Sequence, residues 1–223
     1  MKSLMNNDQH ATAGLMMIMA PPPARDPCLV IAARYTGNTN DAVLAYKDIY
    51  DLKPLIASGA PVPIQKASDR GEALAAKGGF KQFGIVGLHK FDEEAFLRTI
   101  AIWMEMIAEC PDAINTAFNF QWDSRPVKRP DVESAMCLHD IRYRQNNFIW
   151  HTDPNNRSKV DEFNERSIAI MRGNDEANFV DFQNGTRVGP IERRFRGNER
   201  LTNLMALKRE WHPRGVFTSE FLH

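Results

Sequence analysis

The chain has 223 residues, of which 43% are hydrophobic, and this length is enough to bury one core or one core with a small appendage. Lysine and arginine together number 28, as do aspartate and glutamate, so the formal net charge is zero. A balanced charge gives no electrostatic argument for nucleic acid or an anionic membrane as a partner.

Several further classes of protein are excluded by the apolar runs, the cysteines and the histidines. No apolar run is long enough to span a bilayer, and the N-terminal residues lack the apolar core of a signal peptide. The three cysteines, Cys28, Cys110 and Cys137, form no CxxC pattern, and the six histidines show no metal-binding spacing near carboxylates. We therefore expect a cytoplasmic protein without a membrane span, a disulfide framework or a metal site.

The first part of the chain alternates strand-like runs with a helical segment. Residues 1–14 are polar and are expected to form a flexible N-terminus. Two short apolar runs, each closed by turn residues, predict strands at 15–19 and 28–35. A capped helix follows and ends before Pro54. Residues 57–79, rich in glycine, proline and serine, are expected to be a surface loop.

The strongest helix signal lies in the middle of the chain. A strand predicted at 82–90 is followed by Asp92, Glu93 and Glu94, and acidic residues favour a helix N-terminus. Apolar residues then recur at helical spacing until Pro111 ends the helix. The predicted buried stripe consists of Phe96, Ile100, Trp103 and Ile107.

The strand predicted at 113–122 has the clearest alternation in the chain. One face carries aromatic residues and the other polar ones, namely Phe118, Phe120 and Trp122 against Asn119, Gln121 and Asp123. If the aromatic side chains meet the helices, Asn119 and Gln121 face the opposite side of the sheet; otherwise the assignment is reversed.

Three further strands and one helix are predicted before the C-terminal segment. The strands lie at 134–138, 141–151 and 177–182, and the helix runs from Ser158 to a closing Gly173. The 141–151 strand is unusually polar, as expected of a strand that edges the sheet or faces a cavity. Clustered strands with helices between the groups predict an α+β fold, an antiparallel β-sheet with helices packed on one face.

The C-terminal helix is framed by an uncommon order of residues. The segment reads RRFRGNERLTNLMALKREWHPRGVF, in which Asn198 can cap the helix and Pro213 cannot continue it. It resembles the closing motif of the berberine bridge enzyme-like FAD-linked oxidoreductases. The matching residues are Phe195, Gly197, Asn198, Arg200, Leu201, Leu207, Lys208, Pro213, Gly215 and Phe217.

The resemblance implies that residues 15–190 form a substrate-domain-like α+β domain and that residues 191–223 form a helical tail packed on it. Phe179 and Asp181 stand where the family has a tyrosine and an asparagine close to the flavin. The sequence also shows neither a glycine-rich phosphate-binding loop nor the flavin half of the family enzymes, which are about twice as long. We therefore expect no bound cofactor and no oxidoreductase activity from this chain alone.

Flavin-family scaffolds that resemble this one are known as Diels–Alder and hetero-Diels–Alder cyclases in fungal natural-product pathways. Such a reaction needs two π systems held in register and a donor that polarises a carbonyl, but no nucleophile or metal. The resemblance therefore implies a cofactor-independent cyclase of fungal-type secondary metabolism acting on an apolar polyketide or terpenoid. Three alternatives stay open: a non-catalytic partner subunit of a flavin-domain chain, an FAD-linked oxidoreductase completed in trans, and a decayed fragment that merely folds.

Polar groups near the start of the 141–151 strand are the candidate catalytic residues. His139, beside Asp140, can act as an acid or base, and the family often carries a His-Arg pair about there. Tyr143 and Arg144 can donate to a carbonyl or enolate oxygen. Each candidate also has a plain structural alternative, such as a surface histidine, a solvent-facing amide or a core tryptophan. The candidate substrate-binding residues are Asn119, Gln121, Trp150, Phe179 and Asp181.

A substrate domain without its flavin domain would leave the pocket wall uncovered. A loop such as 57–79, a second subunit or solvent then has to cover that wall. Because a large uncovered apolar patch favours association, we expect a homodimer.

Overall fold

The computed structural model of the protein describes most of the chain. The described residues are 2–6, 12–67, 76–124, 137–138, 140–181 and 191–214. They form the strands β1 (Thr12–Met19), β2 (Cys28–Tyr35), β3 (Phe80–Leu88), β4 (Phe118–Asp123), β5 (Tyr143–His151) and β6 (Phe179–Asp181). They also form the helices α1 (Lys2–Met5), α2 (Thr39–Ala45), α3 (Lys47–Asp51), α4 (Glu93–Glu109), α5 (Arg157–Arg172), α6 (Ile191–Arg194) and α7 (Asn198–Trp211).

The strands make one sheet in the order β2-β1-β4-β5-β3-β6, and every neighbouring pair is antiparallel. The two long helices, α4 and α5, pack side by side against one face of it. The rings of Phe96 on α4 and Phe120 on β4 meet edge to face, with their centroids 4.9 Å apart. These features confirm the predicted α+β fold, an antiparallel sheet with helices on one face.

The N-terminal strands form as the apolar runs predict, with one change of boundary. β2 coincides with the predicted strand at 28–35. β1 begins at Thr12 rather than at residue 15, because Thr12 is buried and donates its backbone N–H to Ser124 Oγ at 2.7 Å. Tyr46, between α2 and α3, donates its hydroxyl to the carbonyl oxygens of Ala13 and Arg34 and so holds these helices against β1 and β2.

Helix α4 starts where its acidic cap predicts, but its buried arc is broader than the predicted stripe. Asp92 accepts hydrogen bonds from the backbone N–H groups at the start of the helix. Phe96 and Trp103 are buried as predicted, whereas Ile100 and Ile107 are only partly buried. Because α4 contacts α5 as well as the sheet, Thr99, Ile102 and Met106 are buried too, which extends the covered arc to one side.

The predicted alternation along β4 is confirmed, and the structure decides which of its two faces meets the helices. Phe118, Phe120 and Trp122 are buried beneath the helices, while Asn119 and Gln121 lie on the opposite face and are half-buried. The ring of Trp122 lies over Gly14 of β1, where a Cβ atom would come within 2.5 Å of the ring. This close contact requires glycine at position 14.

β5 does not edge the sheet, because it lies between β4 and β3. Its buried polar side chains meet polar partners on α5. Asn147 Nδ2 donates to Ser167 Oγ at 2.7 Å and to Asn164 Oδ1 at 2.9 Å, and Gln145 Nε2 donates to Ser167 Oγ at 3.2 Å. Gly84 of β3 allows α5 to pack closely against the sheet, since a Cβ atom at this position would lie 2.2 Å from Asn164 Oδ1. A polar strand is therefore compatible with the core because α5 supplies its hydrogen-bonding partners.

The predicted strands at 134–138 and 177–182 and the predicted loop at 57–79 are only partly covered by the description. Residues 137–138 are described and have no strand conformation, and the earlier residues of that strand lie outside the described ranges. β6 spans Phe179–Asp181. Residues 57–63 are exposed and irregular, in agreement with a surface loop, and residues 68–75 lie outside the described part.

The terminal helix has a different cap from the predicted one. Gly197, not Asn198, occupies the N-cap of α7, and Asn198 is its first helical residue. Gly197 has a φ of 100°, a conformation that L side chains rarely adopt, so the motif needs glycine at this position. α7 ends at Trp211, before Pro213 as predicted.

Candidate functional site

The sheet face opposite α4 and α5 carries the candidate site. We call it the open face, and within it two cross-strand rows matter. The first row runs through Leu15, Gln121, Arg144, Gly87 and Val180, which are paired in register from β1 to β6. Paired residues on neighbouring strands share a face, so these residues all lie on the open face.

The second row lies one step along the strands. Met17 pairs with Asn119, and Asn146 pairs with Ile85. The register between β4 and β5, fixed by the Gln121–Arg144 pair, places Asn119 opposite Asn146. Side chains in such pairs have Cβ atoms about 5 Å apart, so two amides stand side by side with apolar residues on either side.

The two amides have unused hydrogen-bonding capacity. Asn119 Oδ1 and Asn146 Oδ1 are both buried, and neither has a hydrogen-bond partner among the described residues. Buried polar atoms normally have a partner, so an unpartnered pair on one surface indicates where a ligand can bind. An amide offers both donors and an acceptor, which suits a carbonyl or hydroxyl group on a small molecule.

Three of the sequence-predicted residues therefore come together on the open face: Asn119, Gln121 and Arg144. Asn146 was missed as a site residue. The alternation along β5 already places Asn146 on the same face as Arg144, but a strand pattern does not reveal which strand lies next to it. The proximity of Asn146 to Asn119 becomes visible only with the β4–β5 pairing.

Tyr143 lies on the opposite face from Arg144. It is only 9% exposed, and its ring centroid is 5.8 Å from that of Phe91 beneath the helices. Burial raises the pKa of its phenol above the ordinary value. The structure therefore does not bring Tyr143 and Arg144 into one site, because adjacent strand residues point to opposite faces.

Of the two remaining candidates, both on β6, only Phe179 has a described side chain, and it lies away from the open face. Phe179 pairs with Leu88 on the helix side, where the guanidinium carbon of Arg172 lies 5.1 Å from its ring centroid. Asp181 pairs with Val86, and its side chain lies outside the described part of the structure. Phe179 is therefore placed for packing rather than for contact with a ligand on the open face.

Trp150 lies on the open face but far from the amides. It is six residues along β5 from Arg144, a separation of about 20 Å. Lys81 Nζ lies 3.9 Å from its ring centroid, and the ring of Phe148 packs against it edge to face. This position fits the structural alternative, a packing tryptophan, better than a role beside Asn119 and Gln121.

His139 lies outside the described residues, whereas Asp140 beside it is described and has partners. Arg196 donates to both oxygens of Asp140, at 2.8 and 2.9 Å, and His89 Nδ1 lies 4.0 Å from the same group. These hydrogen bonds from Arg196 hold the pKa of Asp140 below its usual range. Asp140 thus anchors the C-terminal motif through Arg196.

We expect Asp140→Asn to weaken this anchor in a pH-dependent way. Because the folded-state pKa of Asp140 is lowered, the pair stabilises the fold above the ordinary value of 3.8, and the contribution is lost as the pH falls through the folded-state pKa. The Asp140 side chain is 44% exposed, so solvent screening limits the expected loss at neutral pH to about 0.5–1 kcal/mol. Urea unfolding of both proteins measures the difference.

The difference between wild type and Asp140→Asn should shrink as the pH falls and disappear once Asp140 is protonated in the folded protein. Arg196→Met serves as the matched variant, since it removes the other half of the pair and should give a similar loss at neutral pH. A difference that persists unchanged in acid would mean that the charge of Asp140 plays no part.

Three other features can be assessed in the same part of the chain: metal-binding clusters, membrane-spanning helices and cavities. No group of three histidine, cysteine or acidic side chains that could hold a metal ion occurs among the described residues. No helix in the described ranges is long and apolar enough to cross a membrane. A cavity of about 230 Å³ lies at the β6 edge, lined by Glu176, Phe179, Val180, Glu192 and Arg196. Its glutamates make it a poor match for an apolar substrate.

The architecture is that of a partial berberine bridge enzyme-like domain. Wild-type BBE-like 1 from Physcomitrella patens superposes with a TM-score of 0.66 at 15% identity, covering 98% of this chain and 48% of that one. 6-Hydroxy-D-nicotine oxidase from Arthrobacter nicotinovorans superposes with a TM-score of 0.62 at 14% identity, covering 95% of this chain and 47% of that one. The resemblance inferred from the C-terminal motif is therefore confirmed at the level of the fold.

A sequence relative points in the same direction. FAD-linked oxidoreductase hasG of Aspergillus fumigatus is 22% identical over 218 residues, which cover 87% of this chain and 45% of that protein. No family model matches the chain. The chain spans slightly less than half the length of each of these relatives.

Proposed function

We propose that the chain binds an apolar polyketide or terpenoid on the open face and promotes its cyclisation without a redox cofactor of its own. The observation that carries this proposal is the pair of buried, unpartnered amide oxygens of Asn119 and Asn146. They lie between the apolar side chains of Met17 and Ile85 in one cross-strand row. A surface that is apolar with a few fixed polar groups is typical of a small-molecule site.

Each part of this surface has a distinct role in the proposed reaction. Met17 and Ile85 contact the hydrocarbon and exclude water, while the amide oxygens of Asn119 and Asn146 accept hydrogen bonds from hydroxyl groups of the substrate. Arg144 and Gln121, which are paired in the adjacent row, donate to a carbonyl oxygen of the substrate in this proposal. Donors on that oxygen withdraw electron density from the conjugated dienophile, and the fixed orientation lowers the entropic barrier to closing the ring.

The N-termini of α2 and α4 are already capped and do not fit the pyrophosphate of a flavin, the cofactor named for the sequence relative. A pyrophosphate needs free backbone N–H groups at a helix N-terminus. Those of α4 are taken by the Asp92 carboxylate, and that of Asp41 in α2 is taken by Asn38. Asp112 accepts from the backbone N–H groups of Thr152 and Asp153, just ahead of α5. No reaction step is therefore assigned to a flavin held by these residues.

A second function is favoured by the name of the sequence relative, which is an FAD-linked oxidoreductase. In this alternative a flavin domain, on the same polypeptide or another one, faces the open face and completes the site. Asn119, Asn146 and Arg144 would then orient the substrate for oxidation instead of cyclisation. A non-catalytic partner subunit would bind the same flavin domain without binding a substrate.

Incubation with FAD followed by gel filtration separates these functions. For the cyclase we expect a protein peak without visible flavin absorption and with turnover of a diene substrate. A retained flavin band would contradict the cofactor-free proposal and support the oxidoreductase.

We also propose a homodimer and a cytoplasmic location. Phe83 is 55% exposed on the open face beside Phe148, which favours association through this end of the sheet. Light scattering on the same gel-filtration peak should give the dimer mass, and a monomer mass would contradict it.

A further inference from the structure

Arg194, the last residue of α6, is a buried cation with two guanidinium nitrogens that have no partner among the described residues. It is only 6% exposed, and both its Nε and Nη1 atoms are buried and make no hydrogen bond. A guanidinium cannot lose its charge in a protein, and an unpaired buried charge costs several kcal/mol. The fold therefore keeps an unfavourable group at this position unless something outside the described chain compensates its charge.

Two other arginines in this region have partners for their guanidinium groups. Arg196 donates to both oxygens of Asp140, and Arg172 lies over the ring of Phe179. Arg196 already occupies both oxygens of Asp140, and the ion pairs found among the described residues include none with Arg194. Within the described residues Arg194 therefore has no counter-ion, and an external anion is the group that can supply one.

The position of Arg194 relates this missing anion to the open face. Its carbonyl oxygen accepts a hydrogen bond from Cys137 Sγ at 3.2 Å, and Cys137 belongs to a small buried cluster with Val180. Val180 pairs with Gly87, and Gly87 pairs with Arg144. Arg194 thus borders the β6 end of the same cross-strand row that carries Gln121 and Arg144, and Gly87 between them adds no side chain.

We propose that Arg194 binds a carboxylate or enolate oxygen of the substrate, so that the molecule held on the open face is an organic acid. This inference takes the location of the substrate from the proposed function. It adds that the substrate carries a negative charge. The amides of Asn119 and Asn146 hold its neutral oxygens, while Arg194 supplies a charge-assisted hydrogen bond to its acidic end. The energetic cost of the unpaired guanidinium is recovered when the acid binds.

The test compares benzoate with benzamide as probes of the same shape. Thermal unfolding and binding are measured for the wild-type chain, Arg194→Met and the control Arg166→Met, at constant ionic strength. Arg166 is a suitable control because it pairs with Glu105 on the exposed surface of α4 and α5. Benzoate at about ten times its Kd should raise the wild-type Tm by about 3–5 °C, and benzamide should leave it unchanged.

Arg194→Met should weaken benzoate binding about 10- to 100-fold, since it removes a charged hydrogen bond, while Arg166→Met should bind benzoate as the wild type does. Without benzoate, Arg194→Met should unfold at the same temperature as the wild type or a higher one, because an uncompensated buried charge is gone. A purely structural arginine predicts the reverse, a lower Tm with unchanged benzoate affinity, and that result would overturn the proposal.

A third variant, Arg194→Lys, covers the case in which Arg194→Met does not fold. It keeps the positive charge as a point charge on a flexible stem, so it should still prefer benzoate over benzamide, with weaker affinity than the wild type. Equal affinity for both probes in Arg194→Lys and in the wild type would also overturn the proposal. Because these are binding measurements, their outcome does not depend on whether cyclisation is observed.

Discussion

Asn146→Ala should lower the rate of cyclisation about 100-fold, the effect of removing one fixed hydrogen-bonding group beside a reacting carbonyl or hydroxyl. The amide oxygen of Asn146 is buried and has no partner among the described residues, so it is free to serve the substrate. For the same reason its removal breaks no bond seen in the fold, and the free energy of unfolding should change by less than about 1 kcal/mol. Initial rates at several substrate concentrations, with urea unfolding of the same preparation, measure both quantities.

Two variants provide the comparison for Asn146→Ala. Asn119→Ala removes the neighbouring amide in the same row and should give a similar loss of rate. Asn155→Ala changes an exposed asparagine in the turn before α5 and should leave the rate unchanged. If Asn146→Ala turns over as fast as Asn155→Ala, the amide pair does not contact the reacting groups and the open face is not the active surface.

The faces of β4 could be predicted from the sequence because strand alternation is a local property. The alternation separated an aromatic face from a polar one but left open which of them meets the helices, and the structure shows that Asn119 and Gln121 lie on the face away from the helices. The buried side of α4 was less predictable from the sequence. Apolar spacing located Phe96 and Trp103, but the additional burial of Thr99 depends on where α5 packs, and no pattern within α4 contains that information.

The candidate site was predicted only in part, since its geometry depends on pairing between distant segments. The polarity of β5 suggested an edge or a cavity, whereas the structure places the strand inside the sheet with α5 over its polar face. The partner of Asp140 was equally hidden, because Arg196 lies 56 residues away in the C-terminal motif. The motif itself was recognisable, since its glycine and proline positions follow from helix ends rather than from tertiary contacts.

Asn147→Ala should destabilise the protein more than any change on the open face, by about 2–4 kcal/mol. Asn147 is fully buried, and its Nδ2 donates to both Asn164 and Ser167 of α5. Its Oδ1 also accepts from Gln145 Nε2 at 3.0 Å. Alanine would leave these partners buried with fewer hydrogen bonds than they now have, and the penalty for unpaired polar groups exceeds the net value of the bonds themselves.

Urea unfolding of Asn147→Ala beside Asn119→Ala tests this difference between two asparagines on neighbouring strands. Asn119→Ala should lower the free energy of unfolding by less than about 1 kcal/mol, because the Asn119 amide oxygen has no hydrogen-bond partner among the described residues. Equal losses in the two variants would mean that the network beneath α5 contributes no more than an ordinary side chain does.

The network also governs the open face, because side chains alternate along β5. A slip of one residue in its pairing would exchange the two faces, and the hydrogen bonds of Asn147 to α5 oppose that slip. With Asn147 held inward, Asn146 and Arg144 are held outward. Asn147→Ala should therefore reduce cyclisation as well as stability, and the loss of rate should grow with temperature as the fold loosens. If Asn147→Ala is destabilised but keeps the full rate at every temperature below its Tm, the hydrogen-bond network does not control the geometry of the site.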